Sequence, residues 1–218
     1  MSVLQPSIPM PPVGCSWLLD WKILAIALVV VLEFLGCLSV SVVVSKTALS
    51  VPTLLTVMIL SILTVRFSVA FIVRNSISKA IQISQHYVQQ NQVAAVVGFS
   101  WGGGVVAEML RRGTVGGSNQ PAVLLIAPTT ALISRISMVR DPATVIRVEE
   151  NHRVHVFHDS YDHFFCPHAD RWAQSGISFH CCEDNHIFLS QYSKQALKET
   201  LINLIESYND NYRDFIFL

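Results

Sequence analysis

A strand that turns sharply into a helix is the feature that most constrains what this sequence folds into. Residues 93–97 form a short apolar run rich in β-branched residues, as in a buried strand. Residues 105–112 have the pattern of a helix, which ends in two arginines and is followed by Gly113. The corner between them reads GFSWG, residues 98–102. A corner this tight fixes the backbone of its central residue, Ser100, and with it the direction of the hydroxyl group.

Each residue of this corner has a specific physical use. A strained backbone at Ser100 pushes the serine hydroxyl out of the sheet. Neighbouring chain then passes so close to Gly98 and Gly102 that only glycine fits there. The amide of Trp101 and the positive end of the helix both face an oxyanion that forms on a substrate bonded to Ser100. The corner therefore predicts a nucleophilic serine.

The segment GFSWGGG, residues 98–104, resembles the nucleophile elbow of the α/β-hydrolase family, and the resemblance extends from about residue 76 to about residue 208. It implies a parallel α/β sheet with Ser100 as the nucleophile, Trp101 as an oxyanion donor, and Gly98 and Gly102 as the elbow glycines. An ordinary glycine-rich turn, in which the serine caps the helix, is the alternative.

Strands that alternate with helices after residue 75 support this fold class. We expect a parallel sheet covered on both faces, in a complete or truncated α/β-hydrolase fold. The predicted strands are residues 93–97, 122–127, 154–157 and 177–181, and we expect 177–181 to be the last strand of the sheet. The predicted helices are residues 76–90, 105–112, part of 129–148, and a closing helix at 193–208.

The segment VHVFHDSYDHFFCP, residues 154–167, resembles the family's strand–turn–acid segment. A serine hydroxyl is a poor nucleophile until a base takes its proton, and these hydrolases arrange serine, acid and histidine in that chain order. The resemblance implies that Asp162 is the acid that orients the histidine. Asp159, where the family commonly has glycine, is the second candidate, with a turn-forming role after the strand as its alternative.

The segment ISFHCCEDNHIF, residues 177–188, resembles the last strand and histidine loop of the family. The resemblance implies that His186 is the general base and then the general acid, while Asp184 caps the turn. A solvated loop histidine is the alternative for His186. The family also draws a second oxyanion amide from a loop after an early strand, usually marked by a histidine–glycine pair, and no such pair precedes Gly98.

The N-terminal third is apolar enough to cross a membrane twice. Residues 23–44 and 54–73 are almost wholly apolar, and each meets the ~20 residues that a transmembrane helix requires. Glu33 and Arg66 lie about equally far from the turn between these spans, so they would meet at similar depth in the bilayer. Mutual neutralisation is the favoured interpretation, and a part in a transport path is the alternative. Buried strands of a soluble sheet are the alternative for the β-branched parts of this region.

The predicted organisation is a flexible leader at residues 1–20, a transmembrane helical hairpin at 21–74 and a catalytic lobe at 75–218. Lys22, Arg74 and Lys79 flank the outer ends of the hairpin, whereas the turn offers only Lys46. This distribution favours a membrane protein whose lobe lies in the cytosol.

Composition excludes several classes of partner. The 15 basic and 15 acidic side chains balance, so nothing points to nucleic acid. Five cysteines form no C-x-x-C pair, which argues against a disulfide framework and favours a reducing compartment, with Cys181 and Cys182 packed as small hydrophobes. The histidines between residues 152 and 168 match no compact zinc spacing, so we expect neither a metal nor another cofactor.

Together these patterns predict a serine hydrolase that cleaves a carboxylic ester or thioester, of a small molecule or a lipid, through an acyl-enzyme on Ser100. One alternative is a catalytically weak or inactive hydrolase-like membrane protein that acts as a binding module, since the usual oxyanion loop is missing. Another is an incomplete gene product that does not fold alone.

Overall fold

The computed structural model describes residues 2–4, 36, 51–91, 93–146, 153–160, 165, 171–172, 175, 177–184, 190–206 and 214–218. The chain divides into two compact units, Met1–Pro9 with Ser76–Leu218, and Met10–Asn75. The first unit contains a sheet with its helices, and the second contains the amino-terminal part of a long apolar helix.

A six-stranded sheet is the centre of the first unit. Its strands are β1 (Ser2–Leu4), β2 (Val93–Phe99), β3 (Ala122–Ile126), β4 (Val154–Asp159), β5 (Ser178–Cys182) and β6 (Asp214–Phe217). Across the sheet the order is β1-β6-β2-β3-β4-β5, and each neighbouring pair is parallel. The predicted α/β class with a parallel sheet is confirmed, and all six strands end at the same edge of the sheet.

Helices cover both faces of this sheet, as predicted. The helices are α1 (Val51–Gln90), α2 (Trp101–Arg111), α3 (Thr130–Ser137) and α4 (Gln191–Glu206), with a short 3-10 turn at Pro142–Thr144. Gly98 of β2 faces Val106 of α2, whereas Val97 packs in an apolar cluster with Leu204 of α4. Since successive strand residues point to opposite faces, α2 and α4 lie on opposite sides.

Two short strands enlarge the sheet beyond the expected four. β6 follows α4 in the chain and lies directly beside β2, so the prediction that residues 177–181 form the last strand is wrong. β1 lies within the segment that we expected to be a flexible leader, and it pairs with β6. These strands have only three and four residues, a run too short to show a periodicity. Their formation therefore depends on the strands they pair with.

The helix α1 is continuous over 40 residues. It joins the predicted apolar span at residues 54–73 to the predicted helix at residues 76–90 without a break. Among the described residues, Met58–Gln90 is one helix long and apolar enough to cross a membrane by length and composition, and only 11% of its apolar window is buried. The core helix of a soluble protein is mostly buried, whereas this helix leaves a long apolar surface exposed.

The side chains of α1 suit that surface. The Thr64 hydroxyl donates a hydrogen bond to the Leu60 carbonyl oxygen at 3.0 Å, so it needs no partner from outside the helix. Large apolar side chains are exposed along it, namely Leu55, Met58, Ile59, Leu60, Ile62, Leu63, Phe67, Val69 and Phe71. Apart from Gly36, the first predicted span lies outside the described residues, so the hairpin and the Glu33–Arg66 pair stay predictions.

Candidate active site

Ser100 lies at the corner between β2 and α2. Its backbone has φ 50° and ψ −113°, a combination that residues other than glycine rarely adopt. Such conformations cost of order 1–3 kcal/mol and persist only where the surrounding structure imposes them. The strained backbone that the sequence predicts at this serine is therefore confirmed.

Hydrogen bonds to two neighbouring elements impose this conformation. The Ser100 amide donates to the Ile126 carbonyl oxygen at the end of β3, at 2.9 Å. The Ser100 carbonyl oxygen accepts from the amides of Gly104 and Thr129, each at 3.1 Å, and from the Thr129 hydroxyl at 3.3 Å. Because these bonds tie the corner to both the following helix and the next strand, its backbone cannot relax without breaking several of them.

The Ser100 side chain does not cap the helix that follows it. Ser100 occupies the N-cap position of α2, yet its hydroxyl makes no capping hydrogen bond. The residue is partly exposed, at the sheet edge where the strands end. Ser100 therefore lacks the capping role that the alternative of an ordinary glycine-rich turn assigns to it.

Chain passes close to both predicted elbow glycines. A Cβ atom on Gly98 would lie 2.7 Å from the Gly102 carbonyl oxygen and 2.8 Å from Cγ2 of Val106. A Cβ atom on Gly102 would overlap the carbonyl group of Leu218, the residue after β6. Neither position accepts a side chain unless the backbone beside it moves, which is the reason the sequence analysis gave for glycine there.

Trp101 is the first residue of α2. Amides in the first turn of a helix have no partner within the helix, which is the basis for the predicted role of the Trp101 amide as an oxyanion donor. The positive end of the helix dipole is the second part of that prediction. The Trp101 indole nitrogen is buried and has no hydrogen-bond partner among the described residues.

Asp162 and His186 lie outside the described residues, so their roles stay predictions. The strands that precede them are described. β4 ends at Asp159, two residues later than the predicted end at 157, and Asp159 is the ladder partner of Cys182 on β5. Asp159 is fully buried, and it belongs to the strand rather than to a turn after it.

Asp184 and Ser190 are the described residues nearest to His186 on either side of it in the chain. The Asp184 carboxylate accepts a hydrogen bond from the Ser190 amide at 2.9 Å, in keeping with its predicted role in the turn. The Ser190 hydroxyl oxygen accepts from the Ser193 amide at 3.1 Å and thereby caps α4. The helix begins at Gln191, before the predicted start at residue 193. Ser190, directly before the observed start and three residues before the predicted one, is the capping signal that the sequence analysis missed.

The thiol of Cys182 is a poor candidate nucleophile. Burial raises its pKa, a hydrogen bond with Ser193 opposes the rise, and the nearby carboxylates of Asp184 and Asp159 add to it. The thiolate is the reactive form, so Cys182 packs as a small hydrophobe, as expected. Cys181 is exposed, and the same expectation is wrong for it.

Histidines of β4 and β5 form a pair that is separate from the elbow. Nδ1 of His155 and Nε2 of His180 are 3.2 Å apart, and the ring of Phe157 stacks on His180 with centroids 4.4 Å apart. Burial lowers the pKa of His180. Within the described part of the chain, no three histidine, cysteine or acidic side chains are arranged to hold a metal ion.

The geometry at Ser100 is thus that of a strained serine at a strand–helix corner, on the edge of a parallel sheet. No family model matches the chain, and no curated protein or solved structure is similar to it at a significant level.

Proposed function

We propose that this protein is a membrane-bound serine hydrolase of the α/β-hydrolase type. It cleaves carboxylic esters or thioesters, of small molecules or lipids, through an acyl-enzyme on Ser100. His186 acts as the base and then the acid, and Asp162 orients the His186 imidazole, with Asp159 as the second candidate for that carboxylate. No metal, other cofactor or nucleic acid takes part.

One observation carries this proposal: the backbone strain at Ser100, combined with a hydroxyl that does not cap α2. A turn that only connected a strand to a helix would gain stability from an unstrained residue and a capping hydroxyl. Strain of this kind is concentrated at functional sites, where it fixes the direction of a reactive group.

The reaction follows from these roles. His186 takes the hydroxyl proton as Oγ of Ser100 attacks the substrate carbonyl carbon, and the carbonyl oxygen becomes an oxyanion that accepts from the Trp101 amide. The carbon–oxygen or carbon–sulfur bond then breaks, and the leaving group takes the proton from His186. Water, deprotonated by His186, attacks the acyl-enzyme, and the acid product leaves as the proton returns to Ser100.

The order of the strands supports the proposed constellation. Ser100 follows β2, Asp162 follows β4 and His186 follows β5, and parallel strands have their carboxyl ends at one edge. From β2 to β5 the strands lie side by side in chain order, each roughly 4.8 Å from the next. Groups that follow these strands leave the sheet at the same edge, and this supports the proposal of a shared site.

Hydrolysis by the full-length protein in mild detergent tests the proposal. We expect p-nitrophenyl esters to be cleaved by the wild type and by Ser118→Ala, a change in an exposed loop, whereas Ser100→Ala and His186→Ala lose at least about 10³-fold in kcat. Equal turnover by wild type and Ser100→Ala would remove Ser100 from the reaction.

Membrane attachment has its own test. Because α1 exposes a long apolar surface, we expect the protein to stay in the membrane pellet after extraction at alkaline pH with carbonate. Recovery in the supernatant would contradict the anchor. With the lobe in the cytosol, protease added to sealed vesicles of cytosol-outside orientation should digest residues 76–218.

A non-catalytic binding module is the second candidate, and the neighbour of β2 favours it. On the side away from β3 the elbow meets Leu218, whose carbonyl oxygen accepts from the Phe99 amide at 3.1 Å. A carbonyl oxygen repels an oxyanion, whereas the second oxyanion donor of an active hydrolase must be a hydrogen-bond donor. A folded wild type without turnover on short and long acyl esters would select this candidate.

A further inference from the structure

Phe99 is the immediate neighbour of Ser100 and the last residue of β2. Its side chain is 40% exposed, while the six residues before it in the strand are all buried. The backbone of Phe99 is held in the sheet by the bond from its amide to Leu218. An exposed aromatic residue with a fixed backbone therefore lies at the edge of the sheet, one residue before the proposed nucleophile.

The other side chains beside the elbow are also apolar. Trp101, directly after Ser100, and Leu218, which abuts Gly102, are both partly exposed. The Leu218 amide donates to the Val97 carbonyl oxygen at 2.8 Å, so Leu218 is held beside β2 by bonds at both its amide and its carbonyl. Phe99, Trp101 and Leu218 form what we call the elbow rim, and none of the three side chains carries a charge.

A rim of apolar side chains discriminates between substrates. Single exposed apolar residues are common on protein surfaces, so the exposure of Phe99 alone would carry no argument. Its position does, because a group bonded to Oγ of Ser100 has to pass residues adjacent to Ser100. A charged acyl group would lose hydration there without gaining a partner from the rim, whereas an alkyl chain gains contact.

We propose that Phe99 binds the acyl chain of the substrate and thereby selects esters or thioesters of apolar acyl groups over those of short or charged ones. This specificity rests on the proposed hydrolase function. Burial of one methylene group is worth about fourfold in affinity, so contact between a phenyl ring and a few methylenes gives a selectivity of at least about tenfold.

The test uses full-length protein in mild detergent and two fluorophosphonates that differ only in the alkyl chain on phosphorus, methyl or octyl. In labelling, Oγ of Ser100 bonds to phosphorus, the phosphorus–fluorine bond breaks, and fluoride leaves while the hydroxyl proton passes to the base. We expect the octyl-to-methyl ratio of labelling rates to fall about tenfold in Phe99→Ala and in Phe99→Thr. It should stay within about threefold in Phe99→Leu, which keeps an apolar side chain.

Tyr192→Ala is the matched control, because Tyr192 is an exposed aromatic residue, 76% accessible, at the start of α4. The octyl-to-methyl ratio of labelling rates in Tyr192→Ala should equal that of the wild type. Partition of the octyl probe into detergent is the same for all variants, so comparison between them cancels it. An unchanged labelling-rate ratio in folded Phe99→Ala or Phe99→Thr would overturn the specificity role of Phe99. Labelling of Ser100 in the same experiment would still support the proposed hydrolase function. Absence of Ser100 labelling by both probes in the wild type would overturn the proposed function and this inference with it.

Discussion

At Ser100 the backbone geometry is costly for stability. The φ of 50° would suit glycine, which lacks the Cβ atom that makes this region unfavourable. Strain is worth about 1–3 kcal/mol, and glycine loses about 0.5–1 kcal/mol more backbone entropy on folding. The strain is the larger of the two effects.

We therefore predict that Ser100→Gly is more stable than Ser100→Ala by about 1 kcal/mol, since both lack the hydroxyl and only glycine relieves the strain. Thermal unfolding of the full chain in mild detergent should show a midpoint about 2–4 °C higher for Ser100→Gly. A lower midpoint for glycine than for alanine would mean that the corner is not strained.

Asp162 and Asp159 are the two candidates for the acid that orients His186, and substitution of each in turn distinguishes them. We predict that Asp162→Asn lowers kcat by about 10⁴-fold, as expected when a histidine loses the carboxylate that holds its tautomer. Asp159→Asn should keep kcat within about tenfold, since Asp159 belongs to the strand and is buried beside Cys182. Steady-state hydrolysis of a p-nitrophenyl ester measures both. The reverse pattern would transfer the role to Asp159.

The histidine pair predicts a pH dependence of stability. Burial lowers the pKa of His180 below its ordinary value of 6.5, so below that pH the unfolded chain binds a proton that the folded chain resists. Stability should therefore fall as the pH drops below 6.5, and less so in His180→Phe, whose ring can stack on Phe157. Unfolding midpoints at pH 7.5 and 5.5 measure this, and equal losses in both proteins would contradict it.

Some residues of the site could be predicted from the sequence, and others could not. The strain at Ser100 follows from a serine between glycines at a strand–helix corner. Ala127, at the end of β3, has φ 44°, and alanine gives no signal of that kind. Its conformation is imposed by a long-range bond from its amide to the Phe157 carbonyl oxygen at 2.8 Å, which residue type alone does not reveal.

Among the elements, β6 explains why Gly102 is glycine. Alanine there would raise the helix propensity of α2 by about 1 kcal/mol, but its Cβ atom would overlap Leu218. Displacement of Leu218 breaks its two bonds to β2, each worth about 1 kcal/mol, and loosens the packing of β6. The steric cost therefore exceeds the gain in propensity.

We predict that Gly102→Ala destabilises the protein by about 1–2 kcal/mol and removes the hydrogen-exchange protection of the Phe217 and Leu218 amides. Gly117→Ala is the control, because the nearest atoms to its Cβ belong to the side chain of Gln120, at 3.1 Å or more, rather than to the backbone. Unchanged protection of β6 in Gly102→Ala would show that this strand does not depend on the glycine.

The central strands could be predicted because each is a short apolar run, which is the pattern of a strand buried in a parallel sheet. β3, predicted at residues 122–127, is found at Ala122–Ile126. β6 reads DFIF after polar residues, a four-residue run that carries too little pattern to distinguish a strand from a loop. Its place between β1 and β2 is set by pairing with distant residues, which local sequence does not record.

At the scale of the whole molecule, one helix joins the two units. The apolar pattern of residues 54–73 predicted a helix there, and the amphipathic pattern of residues 76–90 predicted another. That they form one helix was not foreseen, although Arg74 and Asn75 between them include neither proline nor glycine to break it.

The central claim is that an acyl group is carried on Ser100, and trapping of that intermediate tests it most directly. Full-length protein exposed briefly to p-nitrophenyl butyrate and quenched in acid is digested and analysed by mass spectrometry. The account predicts a butyryl adduct on the Ser100 peptide of the wild type and none in Ser100→Ala or His186→Ala. Turnover of the ester without an adduct on Ser100, or with the adduct on another residue, would contradict it.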